Sequence, residues 1–177
     1  MVSDYKEILS DSAKGMKRSA IRELLKLTQK PEIISFAGGL PAKESFPLEQ
    51  LQEICAEVIA TDGAAACQYG STEGVPELLE ILAQRYRDQG LSYVTKENIT
   101  IITSSQQGLD TVGKIFLNRG DKYICELPSY LGALGAFNSY GGVGVGIPQD
   151  EQGMSAVELE KTLAEMKAKG EKPKFIY

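Results

Sequence analysis

The sequence has 177 residues, which is within the size of one domain and long enough to bury a hydrophobic core. Apolar residues make up 42% of it, charged residues 24%, and the net charge is −5, so it lacks the basic stripe that nucleic-acid binding usually needs. No apolar run is long enough to cross a bilayer. We therefore expect neither a nucleic-acid partner nor a membrane partner.

The sequence contains no histidine. This excludes nucleophile systems that depend on a histidine base, zinc sites built on histidine, and histidine as a general acid or base. In an enzyme of this sequence, proton transfer would have to come from Lys, Tyr, Asp, Glu, Cys or a cofactor.

The start of the chain and its cysteines indicate the cellular compartment of the protein. Residues 1–10 carry Asp4, Lys6 and Glu7 and have no apolar core of the kind that a secretory signal needs. The three cysteines are well separated, which favours reduced thiols over a disulfide framework. We expect a cytoplasmic protein.

Helices and loops alternate in the first part of the chain. Apolar spacing predicts a helix over 21–28 that Pro31 closes, and turn residues predict a loop over 38–41. The next helix is predicted to begin at Pro47 and to end at Gly63. A second loop over 68–74 leads to a helix that Pro76 starts and Gly90 caps.

Strands alternate with helices in the second part of the chain. The predicted strands are 99–103, 122–127, 143–147 and 174–177. The predicted helices are 106–117, 130–140 and one that follows a capping box of Ser155 and Glu158. This order implies βαβ units and a mostly parallel sheet, which is an α/β fold. Because the last strand has no stop signal, we expect a truncated chain; a natural edge strand is the alternative.

The strongest site signal is the segment 103–108, at the predicted carboxyl end of a strand and the start of a helix. Ligands bind at this edge in open α/β sheets, and a helix N-terminus suits a phosphate. Ser105 and Gln106 offer donors there, whereas the alternative is a plain serine N-cap on a core helix.

Tyr130 follows the next predicted strand and is expected at the same edge. Its ring suits stacking on a flat ligand, with a tyrosine packed at a strand–helix corner as the alternative. Together the two loops favour a phosphorylated aromatic ligand. The glycine-rich stretch 141–146 is followed by a predicted turn over 147–150 and so does not match a dinucleotide-binding motif; close packing against a neighbouring element explains it better.

Six short segments recur here in the order and spacing of one protein family. They are 19–28 (SAIRELLKLT), 34–41 (ISFAGGLP), 68–74 (QYGSTEG), 105–107 (SQQ), 120–121 (GD) and 128–133 (PSYLGA). With them the chain resembles the class I/II aminotransferases of fold type I, particularly the branch that handles 2-aminoadipate, kynurenine and related amino acids.

The resemblance implies a partial PLP-dependent transferase fold of type I. Residues 1–45 would form the N-terminal arm and helix, and residues 46–177 the first part of the large, mostly parallel-sheet domain that binds pyridoxal 5′-phosphate (PLP). The implied activity moves an amino group between an amino acid of aromatic or 2-aminoadipate type and a 2-oxo acid, in a homodimer that serves amino acid metabolism and biosynthesis.

The resemblance also implies residue roles. Ser105 and Gln106 match residues that hold the PLP phosphate, and Tyr130 matches the aromatic that stacks on the pyridine ring. Ser104 belongs to the same turn, where the family usually has glycine; if positive φ or close approach to phosphate is needed there, serine is unfavourable.

Three further roles follow from the resemblance. Tyr69 matches a tyrosine that reaches the phosphate of the neighbouring subunit's cofactor. Gly39 matches a backbone contact near the substrate. Arg22 lies where this branch has an arginine near the substrate's side-chain end, and a solvated helix cation is the alternative.

The family's catalytic residues have no counterpart in these 177 residues. The missing positions are an Asn-Pro segment, an Asp for the pyridinium nitrogen, a Tyr, the Schiff-base Lys and an Arg for the α-carboxylate. Lys114 and Lys174 read as ordinary surface or helix-end cations. No catalytic residue is therefore assigned, and the chain alone is predicted to be inactive.

Four alternatives stay open. The chain could be an inert fragment or a non-enzymatic binding module, or the PLP-binding sensor domain of a transcription regulator, for which residues 1–18 are too short to hold a winged-helix module. It could belong to another fold type I enzyme, such as a β-lyase or a decarboxylating synthase. A dinucleotide-binding module fits least well, because the glycines are in the wrong place.

Overall fold

The structure is a computed structural model that describes residues 5–15, 33–34, 39 and 41–177. The chain forms two compact units. We call Met1–Lys17 with Ile102–Tyr177 the sheet unit, and Arg18–Ile101 the helical unit. The predicted helix over 21–28 lies outside the described residues. The proposed division into an arm of 1–45 and a domain of 46–177 stays a prediction.

The helical unit contains two described α-helices. Helix α2 is Leu48–Ala66 and helix α3 is Pro76–Asp88, and short 3-10 turns occur at Lys43–Ser45 and Lys96–Asn98. Pro76 occupies the first position of α3, as predicted. Gly90 follows the helix with φ of 96°, which confirms the predicted glycine cap.

The predicted end of α2 at Gly63 lies next to a break in the helix, but a further helical turn follows it. The helix bends at Asp62, whose φ and ψ are −141° and 24°, and then continues to Ala66. Gly63 does not adopt a positive φ and so does not form a left-handed cap, while the three alanines that follow favour helix. Apolar side chains of α2 are largely exposed to solvent, since Leu51, Ile54 and Ile59 are 48–60% exposed.

The predicted strand over 99–103 is wrong. A strand exists only when its backbone pairs with another, and this segment forms no ladder. Within the helical unit, the Ile101 N–H donates instead to the Glu73 carbonyl oxygen at 2.7 Å. Its apolar run is therefore an extended connection.

The described residues of the sheet unit form four strands and four α-helices. The strands are β1 (Lys122–Leu127), β2 (Val143–Asp150), β3 (Gly153–Met154) and β4 (Pro173–Ile176). The helices are α1 (Asp11–Gly15), α4 (Ser105–Phe116), α5 (Leu131–Ser139) and α6 (Ala156–Ala168), and a 3-10 turn covers Tyr5–Ile8.

The sheet has the strand order β3-β2-β1-β4. Strand β1 pairs in parallel with β2 and with β4, whereas β2 and β3 form an antiparallel hairpin. The mostly parallel sheet of the predicted α/β fold is confirmed. Its central strand carries the consecutive buried residues Tyr123, Ile124 and Cys125, as expected of a strand covered on both faces.

The predicted turn over 147–150 is wrong, because β2 runs through these residues. Pro148 lies opposite Leu127, and Gln149 and Asp150 pair with β3. The chain reverses only afterwards, where the Gln152 N–H donates to Asp150 Oδ1 at 2.8 Å. The turn of the hairpin thus lies at residues 151–152, directly after the predicted turn over 147–150.

The hydrophobic core of the sheet unit lies between β1 and α5. Tyr123 and Phe137 are almost fully buried, with ring centroids 5.0 Å apart, and the ring of Phe175 lies 5.1 Å from Phe137. Glycines in β2 and just before it permit this packing: a Cβ on Gly144 would lie 3.0 Å from the Tyr123 hydroxyl, and one on Gly142 would lie 2.9 Å from Leu117. The packing interpretation of the glycine-rich stretch is confirmed.

Burial of Cys125 generates a prediction about thiol reactivity. Cys125 is 5% exposed and burial raises the pKa of its thiol, whereas Cys55 and Cys67 are exposed. Because the thiolate is the reactive form, we expect two thiols to react rapidly with an aromatic disulfide reagent and the third only on unfolding. Absorbance of the released thiolate, with peptide mapping, measures this; three equally fast thiols would contradict it.

The turn before β1 generates a second prediction. Asp121 Oδ2 accepts a hydrogen bond from the Asn118 N–H at 2.7 Å and lies 3.4 Å from Lys174 Nζ. The hydrogen bond from the Asn118 N–H is the largest effect and lowers the pKa of Asp121. Burial raises this pKa and Lys174 lowers it, so that the net shift is downward. A lowered folded-state pKa stabilises the fold above the unfolded-state pKa, and this stabilisation disappears as pH falls through the folded-state pKa.

We therefore expect Asp121→Asn to lower the urea midpoint at neutral pH and to match the wild type once both side chains are uncharged in acid. Lys174→Gln is the control and should have a smaller effect, because the main cause of the shift is the backbone hydrogen bond. A pH-independent deficit in Asp121→Asn would refute this explanation.

Candidate functional site

Two loops meet at the carboxyl edge of β1 in the sheet unit. One loop leads into α4 through Ser104 and Ser105, and the other leads from β1 into α5 through Tyr130. A hydrogen bond joins them, since Gln106 Nε2 donates to the Gly132 carbonyl oxygen at 3.2 Å. The structure therefore brings Ser105, Gln106 and Tyr130 together, although the strand predicted before Ser105 does not form.

The first turn of α4 leaves backbone donors free at this edge. Ser104 is the N-cap residue, and its carbonyl oxygen accepts the first bonds of the helix, from Gln107 N at 3.1 Å and Gly108 N at 3.4 Å. The amides of Ser105 and Gln106 precede these bonds and have no carbonyl partner within the helix. No charged side chain lies in this first turn, so the positive end of the helix dipole is not neutralised locally.

Serine at position 104 causes no backbone strain. Its φ and ψ are −167° and 168°, an extended conformation that any residue adopts. Its side chain makes no capping hydrogen bond. The turn is held instead by Gln107, whose Oε1 accepts from the Thr103 N–H at 2.7 Å and from the Thr103 hydroxyl at 3.0 Å. Serine can therefore stand at position 104, where the family usually has glycine, without a positive φ.

Tyr130 is the N-cap residue of α5 and is 55% exposed. Its loop is held from below, because Gln149 Nε2 on β2 donates to the Pro128 carbonyl oxygen at 2.7 Å. Near the opposite end of β1, burial raises the pKa of Tyr123 to about 12, so this phenol stays neutral in the core. Gln149 was not among the predicted site residues, because it was predicted to lie in a turn, whereas it belongs to β2.

Gly132 was also missed as a site residue. A Cβ at this position would lie 2.5 Å from Tyr130 Cε1 and 2.7 Å from Gln106 Oε1, so its glycine allows both side chains to pack against the start of α5. The signal in the sequence was a glycine two residues after the aromatic, in the first turn of a helix.

The remaining predicted residues lie elsewhere. Tyr69 belongs to the helical unit and its side chain is 99% exposed, while its N–H donates to Gln68 Oε1 at 2.8 Å. Gly39 is exposed and has φ of 58°. Arg22 lies outside the described residues. The roles of all three stay predictions.

Among residues 5–15, 33–34, 39 and 41–177, no group of three acidic or cysteine side chains is arranged to hold a metal ion. Within the same residues, none of the helices combines the length and the apolar character that a bilayer span requires.

Comparison with known proteins identifies relatives over nearly the whole chain. It is 44% identical to aromatic-amino-acid aminotransferase 1 of Thermococcus litoralis and 42% identical to the 2-aminoadipate transaminase of Thermus thermophilus, over 98% of this chain in both cases. It spans only 42% and 41% of the lengths of these two relatives.

This chain is also similar to a solved aminotransferase structure. The kynurenine aminotransferase of Pyrococcus horikoshii, in a complex with PMP, is 40% identical and has a TM-score of 0.86 over 99% of this chain and 43% of its own. The family described as Aminotransferase class I and II matches residues 31–177. The chain therefore belongs to the class I and II aminotransferases.

Proposed function

We propose that this protein binds PLP at the carboxyl edge of β1 and takes part in the transfer of an amino group between an amino acid of aromatic or 2-aminoadipate type and a 2-oxo acid. The observation that carries the proposal is the hydrogen bond between Gln106 and Gly132, which joins the N-terminus of α4 to the first turn of α5, next to the exposed ring of Tyr130. The names of the similar proteins support the substrate classes.

The residues at this edge fit the phosphate of the cofactor. A phosphate dianion would accept hydrogen bonds from the amides of Ser105 and Gln106 and from the Ser105 hydroxyl, at the positive end of α4. The extended backbone of Ser104 leaves the approach to these donors open, and the absence of acidic side chains in the turn avoids repulsion.

The same edge fits an aromatic ring. Tyr130 would cover one face of the pyridine ring, and the Gln106 side chain, bound to Gly132, would fix the spacing between phosphate and ring. When bound, PLP supplies an electron sink for negative charge at the substrate's α-carbon. The residues of this edge bind and orient the cofactor, and none of them is assigned the proton transfer.

Three further roles are part of the proposal. Tyr69 would reach the cofactor of a second subunit in a homodimer, which its 99% exposure supports. Gly39 and Arg22 would contact the substrate. We place the protein in amino acid metabolism in the cytoplasm, on the grounds of its cysteines and its relatives.

The catalytic step requires a lysine that these 177 residues do not offer in a matching sequence context. We therefore infer that the 177-residue polypeptide alone is an inert fragment of the enzyme or a module that only binds the cofactor. The measurement is 2-oxo acid formation from aromatic amino acids or 2-aminoadipate with added PLP and 2-oxoglutarate. We expect no turnover above the protein-free control, and robust turnover by a sample of verified mass would refute the inference.

Binding of pyridoxamine 5′-phosphate (PMP) tests the site itself, because PMP needs no lysine. Ser105→Ala should weaken PMP binding about tenfold or more, since a hydrogen bond to a charged group contributes roughly 1.5 kcal/mol or more. Isothermal titration calorimetry measures the affinity, and inorganic phosphate should compete.

Ser155→Ala is the matched control, because Ser155 caps another helix of the same unit and its hydroxyl accepts a bond from the Glu158 N–H at 3.4 Å. It should lower the free energy of unfolding by about 1 kcal/mol and leave PMP affinity unchanged. Failure of the wild type to bind PMP, or an equal loss in both variants, would overturn the proposed site.

A further inference from the structure

Gly132 lies where two candidate cofactor-binding side chains meet. Its carbonyl oxygen accepts the hydrogen bond from Gln106 Nε2 at 3.2 Å. A Cβ on Gly132 would lie 2.5 Å from Tyr130 Cε1, 2.6 Å from Tyr130 Cζ and 2.7 Å from Gln106 Oε1. Real Cβ atoms do not approach other atoms so closely, so any side chain here would displace the ring, the amide or both.

Backbone conformation does not explain this glycine. Gly132 lies in the first turn of α5 and is not among the residues with positive φ. Alanine would be better for the helix itself, since glycine is less favourable in helices by up to about 1 kcal/mol. The reason for glycine is therefore the space that Tyr130 and Gln106 occupy.

The displaced atoms belong to side chains that are free to move. Tyr130 is 55% exposed and Gln106 is exposed, so both can rotate away from an added methyl group without disturbing the core. A side chain at position 132 would thus change the geometry of the edge and leave the fold intact.

We propose that Gly132 is a positioning residue for the cofactor: it sets the placement of the Tyr130 ring and the Gln106 side chain, and so the distance between the ring-stacking surface and the phosphate donors. This inference rests on the proposed function and assigns a role to a residue that touches neither the phosphate nor the reacting atoms. It predicts that one methyl group at position 132 weakens cofactor binding through its neighbours.

Helix α5 supplies a matched control. Gly135 lies in the same helix, and a Cβ there would meet no atom within 4 Å. Gly132→Ala and Gly135→Ala make the same chemical change in the same helix, and only the first meets Tyr130 and Gln106. Neither glycine has a positive φ, so both variants are expected to fold.

The experiment measures PMP affinity by titration calorimetry for the wild type, Gly132→Ala and Gly135→Ala, together with nuclear magnetic resonance spectra of the unliganded proteins. Gly132→Ala should weaken PMP binding roughly three- to tenfold, the size of one lost aromatic stack. It should also shift the Gln106 side-chain amide and Tyr130 ring resonances. Gly135→Ala should change neither, and its circular dichroism spectrum should match that of the wild type.

A double variant tests the route of the effect. In a Tyr130→Ala background, adding Gly132→Ala should weaken PMP binding by less than it does in the wild type, because the ring it displaces is gone. An equal loss in both backgrounds would overturn positioning through Tyr130.

The remaining outcomes separate the two proposals. If the wild type binds PMP and Gly132→Ala binds it equally well, the role of Gly132 is refuted and the cofactor site stands. If the wild type binds no PMP, the proposed function is refuted and the role of Gly132 falls with it.

Discussion

The contact between Tyr123 and Phe137 is the interaction on which the sheet unit depends. Their ring centroids are 5.0 Å apart, both side chains are almost fully buried, and they join the central strand β1 to helix α5. Because β1 and α5 flank the Tyr130 loop, this contact holds together the two elements that the loop connects. The glycines of β2 serve the same contact, since any side chain at Gly144 would meet the Tyr123 hydroxyl.

The candidate site lies at the carboxyl end of β1 and the start of α5, and it is built mainly of backbone groups and neutral side chains. The helix dipole and the free amides of α4 provide attraction for an anion, and the exposed ring of Tyr130 provides a surface for a flat group. The hydrogen bond from Gln106 to Gly132 connects the N-terminus of α4 to the helix that follows Tyr130. Such an edge is suited to hold a phosphorylated aromatic ligand and leaves the chemistry to the ligand and to other residues.

Much of the sheet unit could be predicted from the sequence, because its elements are local. The strand Lys122–Leu127 has the predicted bounds, since the apolar residues Tyr123, Ile124 and Cys125 mark its centre and Pro128 marks its end. The errors have a common cause, which is that pairing partners are not visible in a local pattern. The segment 99–103 has the composition of a strand without a partner, and Pro148 looks like a turn although β1 and β3 hold its strand on either side.

The same limit applies to the site. Tyr130 could be identified from its position after a strand and Ser105 from its position at the start of a helix, and the structure brings the two together even though no strand precedes Ser105. Gly132 and Gln149 could not, because their importance comes from contacts with Tyr130, Gln106 and Pro128 that only the folded chain creates. Residues that act by the space they leave free, or by holding a loop from a neighbouring strand, carry no chemical signal of their own.

The central claim is that the N-terminus of α4 and the Tyr130 ring bind one phosphorylated ligand. The most direct measurement is a titration of the isotope-labelled protein with PMP, followed by nuclear magnetic resonance. The account predicts that the largest shifts occur together at the backbone amides of Ser105 and Gln106 and at the Tyr130 ring. Shifts confined to another helix N-terminus, such as that of α6 at Ser155, would contradict it.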